Sequence, residues 1–312
     1  MWQFWKIIKQ VKKWILSHIL KLLFLMLIPV LIYSKNILSY LNTELGNMKM
    51  NNKPLKIVVF DLDETLGYFT EISMFWDALE HFYGHNLFAD QFFSLLDVFP
   101  EVFRPNMLHI LDVLYKKKIR KACYKIIMYT NNQGPKSWVT MISDYVSKKT
   151  GHPVFDTIIA AYKVRGKQIE PKRTSHEKSV TDLISCTDIP ANTEICFIDD
   201  LYHPLMDKEN VFYINIKPYR VSIPFEEMAS RYYDKILVKT SPQTKKAEFV
   251  TQIVSFMKQY NYMVLNKSEE EKNVDTIVGK KLLSNLEEFL KNARRLPTRK
   301  NRMRRVKSMR KN

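Results

Sequence analysis

The chain has 312 residues, which is enough for one sizeable hydrophobic core with about 100 residues left for tails or a small accessory unit. Its net charge of +17 lies at the ends, since residues 1–50 carry +6, residues 291–312 carry +11 and the middle is neutral. The three cysteines, Cys123, Cys186 and Cys196, have no CxxC spacing, which argues against a disulfide scaffold or a zinc site and favours a reducing compartment.

Residues 1–50 form a basic, hydrophobic N-terminal segment. Apolar residues recur at helical spacing over 1–21 beside a lysine face, as in a basic amphipathic helix, and twelve apolar residues follow at 22–33. A bilayer span needs ~20 apolar residues, so this shorter run is more typical of an interfacial or signal-type segment. We expect membrane attachment through residues 1–33, with the domain at 51–240 in the cytosol. The alternative is a start at Met48 or Met50, which would give a soluble cytoplasmic or nuclear protein.

From Lys56 onward, short apolar runs alternate with amphipathic stretches. Strands are predicted at Lys56–Phe60, Lys125–Tyr129, Thr157–Ala161, Ile195–Ile198 and Val211–Ile216. Helices are predicted at Met107–Lys117, Ser137–Lys149 and His176–Ser185. This order predicts an α/β fold over residues 51–240, a three-layer α/β/α sandwich around a parallel sheet with right-handed crossovers.

An aromatic-rich insert after the first strand, residues 67–104, is predicted to be mostly helical. Its rings either pack against each other and the sheet or form a substrate-stacking surface, and its position makes it the expected specificity element.

The C-terminal part, residues 241–293, is predicted to hold helices near Lys246–Met257 and Val278–Asn292, after an irregular stretch beyond Tyr219. Residues 294–312 are predicted to form a disordered basic tail. Its charge is equally suited to binding RNA, DNA or an anionic membrane and to acting as a nuclear import signal. No aromatic residue follows Phe289, so base stacking is not available to that tail.

Paired carboxylates follow two of the predicted strands. Asp61 and Asp63 come directly after the first strand, and Asp199 and Asp200 end the fourth. The carboxyl ends of parallel strands border the crevice where ligands bind, so these four acids are expected to converge there. Carboxylates that lie close together repel one another, so such a cluster normally implies a bound divalent cation. An oxygen-only ligand set favours Mg²⁺.

Two further segments supply groups suited to phosphoryl transfer. Thr130 and Asn131 begin a turn after the second strand, where a hydroxyl and backbone amides can hold a phosphoryl oxygen; the alternative is an ordinary turn before a helix. The segment 170–183 is expected to bring one lysine to the acids, Lys178 first and Lys172 second.

These elements, in this order, resemble the haloacid dehalogenase superfamily of phosphohydrolases over residues 53–219. The run Asp61-Leu62-Asp63-Glu64-Thr65-Leu66, Arg104-Pro105 before a helix, and Tyr129-Thr130 are most similar to the small C-terminal-domain phosphatases, also called NLI-interacting-factor-like phosphatases.

The resemblance implies a Mg²⁺-dependent phosphatase in which Asp61 forms an aspartyl-phosphate and Asp63 moves the protons. Asp63 would also offer its backbone carbonyl to the metal, Asp200 or Asp199 would complete the metal site, and Thr130, the Asn131 amide and Lys178 would neutralise the phosphoryl oxygens. The implied substrate is a phosphoserine or phosphothreonine protein. The alternatives are a phosphatase of nucleic-acid ends or nucleotides, and a non-catalytic membrane-tethered or nucleic-acid-binding protein on the same scaffold.

Overall fold

Apolar segments pair into the central sheet of the structure, a computed structural model that describes residues 54–291. The strands are β1 (Lys56–Phe60), β2 (Lys125–Tyr129), β3 (Thr157–Ile159), β4 (Lys163–Val164), β5 (Lys167–Gln168), β6 (Glu194–Asp199) and β7 (Val211–Asn215). Five of them form a parallel sheet in the order β3-β2-β1-β6-β7, which confirms the predicted parallel sheet. The unpredicted β4 and β5 form a separate antiparallel hairpin.

Eight helices flank this sheet in the described part of the chain. They are α1 (Thr70–Tyr83), α2 (Ala89–Val98), α3 (Met107–Ile119), α4 (Lys136–Thr150), α5 (Val180–Thr187), α6 (Phe225–Tyr232), α7 (Lys246–Lys258) and α8 (Glu269–Lys291). Short 3₁₀ turns lie at Pro100–Val102 and Pro204–Met206, and α6 continues through a π-helical segment, Tyr233–Leu237, into a last turn at Val238–Thr240.

The main differences from the prediction are two helix starts and one helix in a stretch expected to be irregular. Helix α5 begins at Val180 instead of His176, because the Ser179 hydroxyl accepts a hydrogen bond from the Asp182 amide and caps the helix there. Helix α6 follows Pro224 in the stretch expected to be irregular, and α8 starts nine residues before Val278. The polar first turn of α8, residues 269–272, hides its start from an apolar periodicity.

The two faces of β1 are buried in different cores. Val58 and Phe60 belong to a large core shared with helices α1 to α4 and α6 to α8, while Ile57 and Val59 belong to a smaller one that includes Leu183 of α5. The sheet is therefore covered on both faces. The helices of 241–293 contribute to the same large core as the rest of the described chain.

The aromatic insert packs mainly on itself and on the sheet. Phe75 meets Phe99 and Trp76 meets Phe92 edge to face, with ring centroids 5.8 and 5.3 Å apart. Phe88 is the exception, with 73% of its surface exposed. Most of these rings are thus core residues.

Within residues 54–291, no helix combines the length and the apolar character that crossing a bilayer requires. The predicted N-terminal anchor in 1–33 and the basic tail at 294–312 lie outside the described residues.

Candidate active site

The loop after β1 presents its two carboxylates from a tight turn. The Asp61 amide donates to the Ile198 carbonyl at 2.9 Å, which extends the β1–β6 pairing by one residue. Glu64 adopts a positive φ of 59°, and its amide donates to the Gly67 carbonyl at 2.7 Å. As a result the Asp61 side chain is buried, while Asp63 is half-buried at the rim.

Arg104 holds this turn closed. Its Nε donates to the Thr65 carbonyl at 2.7 Å, and its Nη2 donates to the carbonyls of Glu64 at 2.6 Å and Lys217 at 2.8 Å. The side chain is almost completely buried, and burial lowers its pKa to about 10, opposed by the negative charges of Asp275 and Asp200. Arg104 therefore ties the loop after β1 to the segment that follows β7.

Lys178 joins the two acidic strand ends. Its Nζ lies 2.5 Å from Asp61 Oδ1 and 2.7 Å from Asp199 Oδ2, and all three side chains are buried. The structure thus brings Lys178 to the carboxylates and leaves Lys172 at the surface, where its Nζ pairs with Asp188 at 3.2 Å. Lys178 lies in the loop before α5, since that helix begins two residues later.

The charges of this cluster are unevenly distributed. Burial raises the pKa of Asp61 to about 8; Lys178 opposes the rise, and the neighbouring charge of Asp199 adds to it. Burial acts in the same direction on Asp199, but Lys178 and His203 outweigh it and hold the pKa of Asp199 below its ordinary value. Burial favours a neutral Lys178, but the two carboxylates dominate and raise its pKa. The ammonium group is therefore charged, and Asp61 is the carboxyl group that takes up a proton most readily.

The loop after β2 reaches Asp63 through Asn132. Asn132 Nδ2 donates to Asp63 Oδ2 at 2.8 Å, and the Asn132 amide donates to the Thr130 hydroxyl at 3.0 Å. Burial raises the pKa of Asp63, and the hydrogen bond from Asn132 opposes that rise. Asn132 was not among the predicted site residues, although its position two residues after Thr130 was a usable signal.

Arg173 fixes the loop that carries Asn131. Its Nη1 donates to the carbonyls of Thr130 at 3.0 Å and Ala160 at 2.9 Å, and its Nη2 donates to Asn131 Oδ1 at 2.8 Å. The Asn131 side chain also donates to the His176 carbonyl at 3.0 Å. Asn131 is thereby held from both sides. Sequence reasoning missed Arg173, because a buried arginine has no periodic signature in a loop.

His203 connects the lysine segment with the end of β6. Its Nδ1 lies 2.8 Å from Glu177 Oε1 and its Nε2 lies 3.4 Å from Asp199 Oδ2. Burial lowers the pKa of His203, but the interactions with Asp199 and Glu177 outweigh it and raise the pKa. This histidine, also missed from the sequence, holds Glu177, the neighbour of Lys178, against Asp199.

The acids at this edge can hold a cation. One carboxylate oxygen each from Asp61, Asp199 and Asp200 lies within 4.8 Å of the others. Asp200 Oδ1 accepts a hydrogen bond from the Thr65 hydroxyl at 3.2 Å, and burial, aided by Asp199 and Glu64, raises the pKa of Asp200 to about 6. Three carboxyl groups thus lie around one lysine, and their burial disfavours the charged forms of Asp61 and Asp200 when no cation is bound. The oxygen-only donor set therefore fits a hard divalent cation such as Mg²⁺.

No family model, no curated protein and no solved structure matches this chain. We therefore infer its function from the side chains that meet at the carboxyl edge of the sheet.

Proposed function

We propose that this protein is a Mg²⁺-dependent phosphatase that hydrolyses phosphate monoesters through an aspartyl-phosphate intermediate on Asp61. The observation that carries the proposal is the buried contact of Lys178 with both Asp61 and Asp199 beside a second carboxyl group, Asp63, two residues from Asp61. Membership of the haloacid dehalogenase superfamily, and similarity to its small C-terminal-domain phosphatases, belong to the same proposal.

In this reaction the Asp61 carboxylate attacks phosphorus, and the bond from phosphorus to the leaving oxygen breaks. Lys178 already contacts Asp61 Oδ1, so a phosphoryl group bonded to the other carboxylate oxygen lies next to a fixed positive charge. The Thr130 hydroxyl and the Asn131 amide offer further donors to its oxygens. Fixed charge and positioning account for most of the catalysis in phosphoryl transfer.

Asp63 moves the protons. Its raised pKa keeps the carboxyl group protonated to higher pH, which suits a general acid that protonates the leaving oxygen. Once deprotonated, the same group accepts a proton from the water that hydrolyses the aspartyl-phosphate. Asn132 orients the carboxyl group for both steps through its hydrogen bond to Asp63 Oδ2.

Asp61, Asp199 and Asp200, with the backbone carbonyl of Asp63, would hold the Mg²⁺. When bound, the cation favours the ionised form of Asp61 and attracts the phosphoryl oxygens. The proposed substrate is a phosphoserine or phosphothreonine protein.

The replacement Asp61→Asn tests the proposal. We expect Mg²⁺-dependent phosphate release from an aryl phosphate to fall at least about a thousandfold, because the amide is not a nucleophile. The protein should still fold, because Asn resembles the protonated Asp61 that a pKa of about 8 favours in the metal-free protein.

Asp144→Asn is the matched control, since Asp144 is exposed on α4 and the same chemical change there should leave activity at the wild-type level. Wild-type turnover in a folded Asp61→Asn protein would contradict the proposed nucleophile. A wild-type protein that releases no phosphate with Mg²⁺ would contradict the proposed activity.

A further inference from the structure

The hairpin of β4 and β5 is a basic arm at the carboxyl edge of the sheet. It carries Lys163, Arg165 and Lys167 and no acidic residue, and its turn is the pair Arg165-Gly166. Within residues 54–291, none of these three cations forms an ion pair with a carboxylate. Three uncompensated charges in a six-residue hairpin create a local positive field.

The base of the hairpin is anchored to the residues of the candidate site. Arg173 binds the carbonyls of Ala160, which precedes the hairpin, and of Thr130. Tyr162 packs edge to face on His176, with ring centroids 5.4 Å apart, and His176 is two residues from Lys178. The base of the hairpin is therefore connected to the loop that carries Thr130 and to the loop that carries Lys178.

The turn at the tip of the hairpin has an arginine at a position where the backbone geometry disfavours a large side chain. Arg165 has a φ of 48° and Gly166 a φ of 78°, so both central residues of this two-residue turn have left-handed backbone geometry. Such turns favour Asn, Asp or Gly at the first position, since a larger side chain is strained there. An arginine in this position exposes a positive charge at the tip at a conformational cost.

The surroundings of the reaction centre have the opposite charge. Six acidic residues lie there, Asp61, Asp63, Glu64, Glu177, Asp199 and Asp200. They outnumber the cations nearby, which are Lys178, Arg104, Arg173, the more peripheral Arg220 and, when protonated, His203. Without a bound cation, an anionic substrate gains little attraction from such an edge. The basic arm provides complementary charge beside it.

We infer that the hairpin 163–168 binds a second anionic group, an acidic or phosphorylated side chain, on the same polypeptide as the phosphoserine or phosphothreonine. This inference rests on the proposed phosphatase activity and specifies its substrate as a peptide with clustered negative charge. The tip lies about 10 Å beyond the hydrogen-bonded pair Tyr162–Ile169, at about 3.3 Å per residue of strand. An extended peptide covers that length in three to four residues, so the acidic residues of the test peptide are placed that far from the phosphoserine.

The test compares two fluorescent phosphoserine peptides. One carries glutamates three and four residues to each side of the phosphoserine, and the other carries glutamines there. Binding is measured by fluorescence anisotropy in the Asp61→Asn background, and turnover is measured with the chain that retains Asp61. In the triple variant K163Q/R165Q/K167Q, we expect the Kd of the acidic peptide to rise about tenfold at low salt and that of the glutamine peptide to stay unchanged.

The triple variant K117Q/R120Q/K121Q is the matched control, because it removes three cations around the end of α3, which leads into the amino end of β2. It should bind both peptides as the parent does, and aryl phosphate hydrolysis should be unchanged in both triple variants.

The inference is overturned if the hairpin variant keeps the parent's preference for the acidic peptide, or if it loses affinity for both peptides equally. It is also overturned if a 5′-phosphorylated oligonucleotide loses more affinity than the acidic peptide, which would assign the arm to nucleic acid. Failure of the phosphatase proposal is distinct, because it appears as absent aryl phosphate hydrolysis by the chain that retains Asp61 and leaves the binding comparison intact.

Discussion

Asp61 is a nucleophile candidate in an environment that disfavours its charge. Burial raises its pKa to about 8, and the single ammonium group of Lys178 is shared with Asp199, whose pKa is lowered. The pair thus divides its roles, since Asp199 holds the lysine as a permanent carboxylate while Asp61 stays near the protonation equilibrium. Activity should therefore depend on a bound cation, because the cation favours the ionised form of Asp61.

The same shift predicts how stability depends on pH without metal. The folded-state pKa values of Asp61, about 8, and Asp200, about 6, lie above the ordinary value of 3.8, so the folded protein binds more protons than the unfolded chain. Their stabilising contribution is complete below about pH 4 and is lost as the pH rises towards 8. With EDTA present, we expect the free energy of unfolding, measured with urea, to be lower at pH 8 than at pH 5.

Asp61→Asn should reduce this difference, because the amide does not titrate, whereas Asp144→Asn should preserve it. Stability that increases from pH 5 to pH 8 in the metal-free wild type would show that Asp61 ionises at its ordinary pKa.

At the scale of elements, helix α8 packs against Pro105, the residue after Arg104. Gly279 lies so close to Pro105 that a Cβ built on it would stand 2.3 Å from the Pro105 carbonyl oxygen. Asp275, one turn earlier, is buried and pairs with Lys267, and its charge acts on Arg104. Because Arg104 closes the loop after β1, the packing of α8 against Pro105 affects the loop that carries Asp61.

Gly279→Ala is expected to destabilise the protein by about 1–3 kcal/mol, because the added methyl group must push α8 away from Pro105. This runs against helix propensity, which favours Ala over Gly by about 1 kcal/mol. Urea unfolding measures the change. Lys280→Ala and Lys281→Ala, on the exposed side of the same helix, should change stability by less than about 0.5 kcal/mol. Equal stability of Gly279→Ala and wild type would show that α8 is not closely packed there.

The five strands of the parallel sheet were predictable because each contains a short apolar run, whereas β4 and β5 have too few apolar residues to show one. The carboxyl-edge position of Asp61, Thr130 and Asp199 followed from the same pattern, since parallel strands end together. Lys178 was predicted ahead of Lys172, but charge and spacing alone left both lysines open, and the burial of Lys178 became visible only in the fold. Arg104 and Arg173 act through backbone carbonyls of distant segments, and such contacts leave no trace in the local sequence.

At the scale of the whole molecule, charge separates the middle of the chain from its ends. Residues 294–312 contain ten lysines and arginines and no acid, whereas residues 51–290 are neutral overall. Attraction to a polyanion should therefore depend on the tail, and hydrolysis should depend on the described residues. The two properties are expected to be separable.

Deleting residues 294–312 should abolish most of the salt-dependent binding to heparin and leave aryl phosphate hydrolysis unchanged. Binding is measured as anisotropy of labelled heparin at several salt concentrations, where the slope reports the number of charges involved. A tail with the same composition in scrambled order is the control and should bind like the parent, because contacts of this kind are not sequence-specific. An unchanged salt slope after the deletion would assign the binding to another surface.

The order of the strands also bears on the protein during its synthesis. β1 leaves the ribosome before the other strands of the sheet. One of its two neighbours, β6, is made more than 130 residues later, and the Asp61 amide needs the Ile198 carbonyl as its acceptor. The Lys217 carbonyl that Arg104 binds comes later still. A nascent chain that lacks β6 and β7 has Asp61 and Asp63 but neither Asp199 nor the closed loop. The candidate site can therefore be assembled only after residue 217 has been translated, so shorter nascent chains carry no preformed centre.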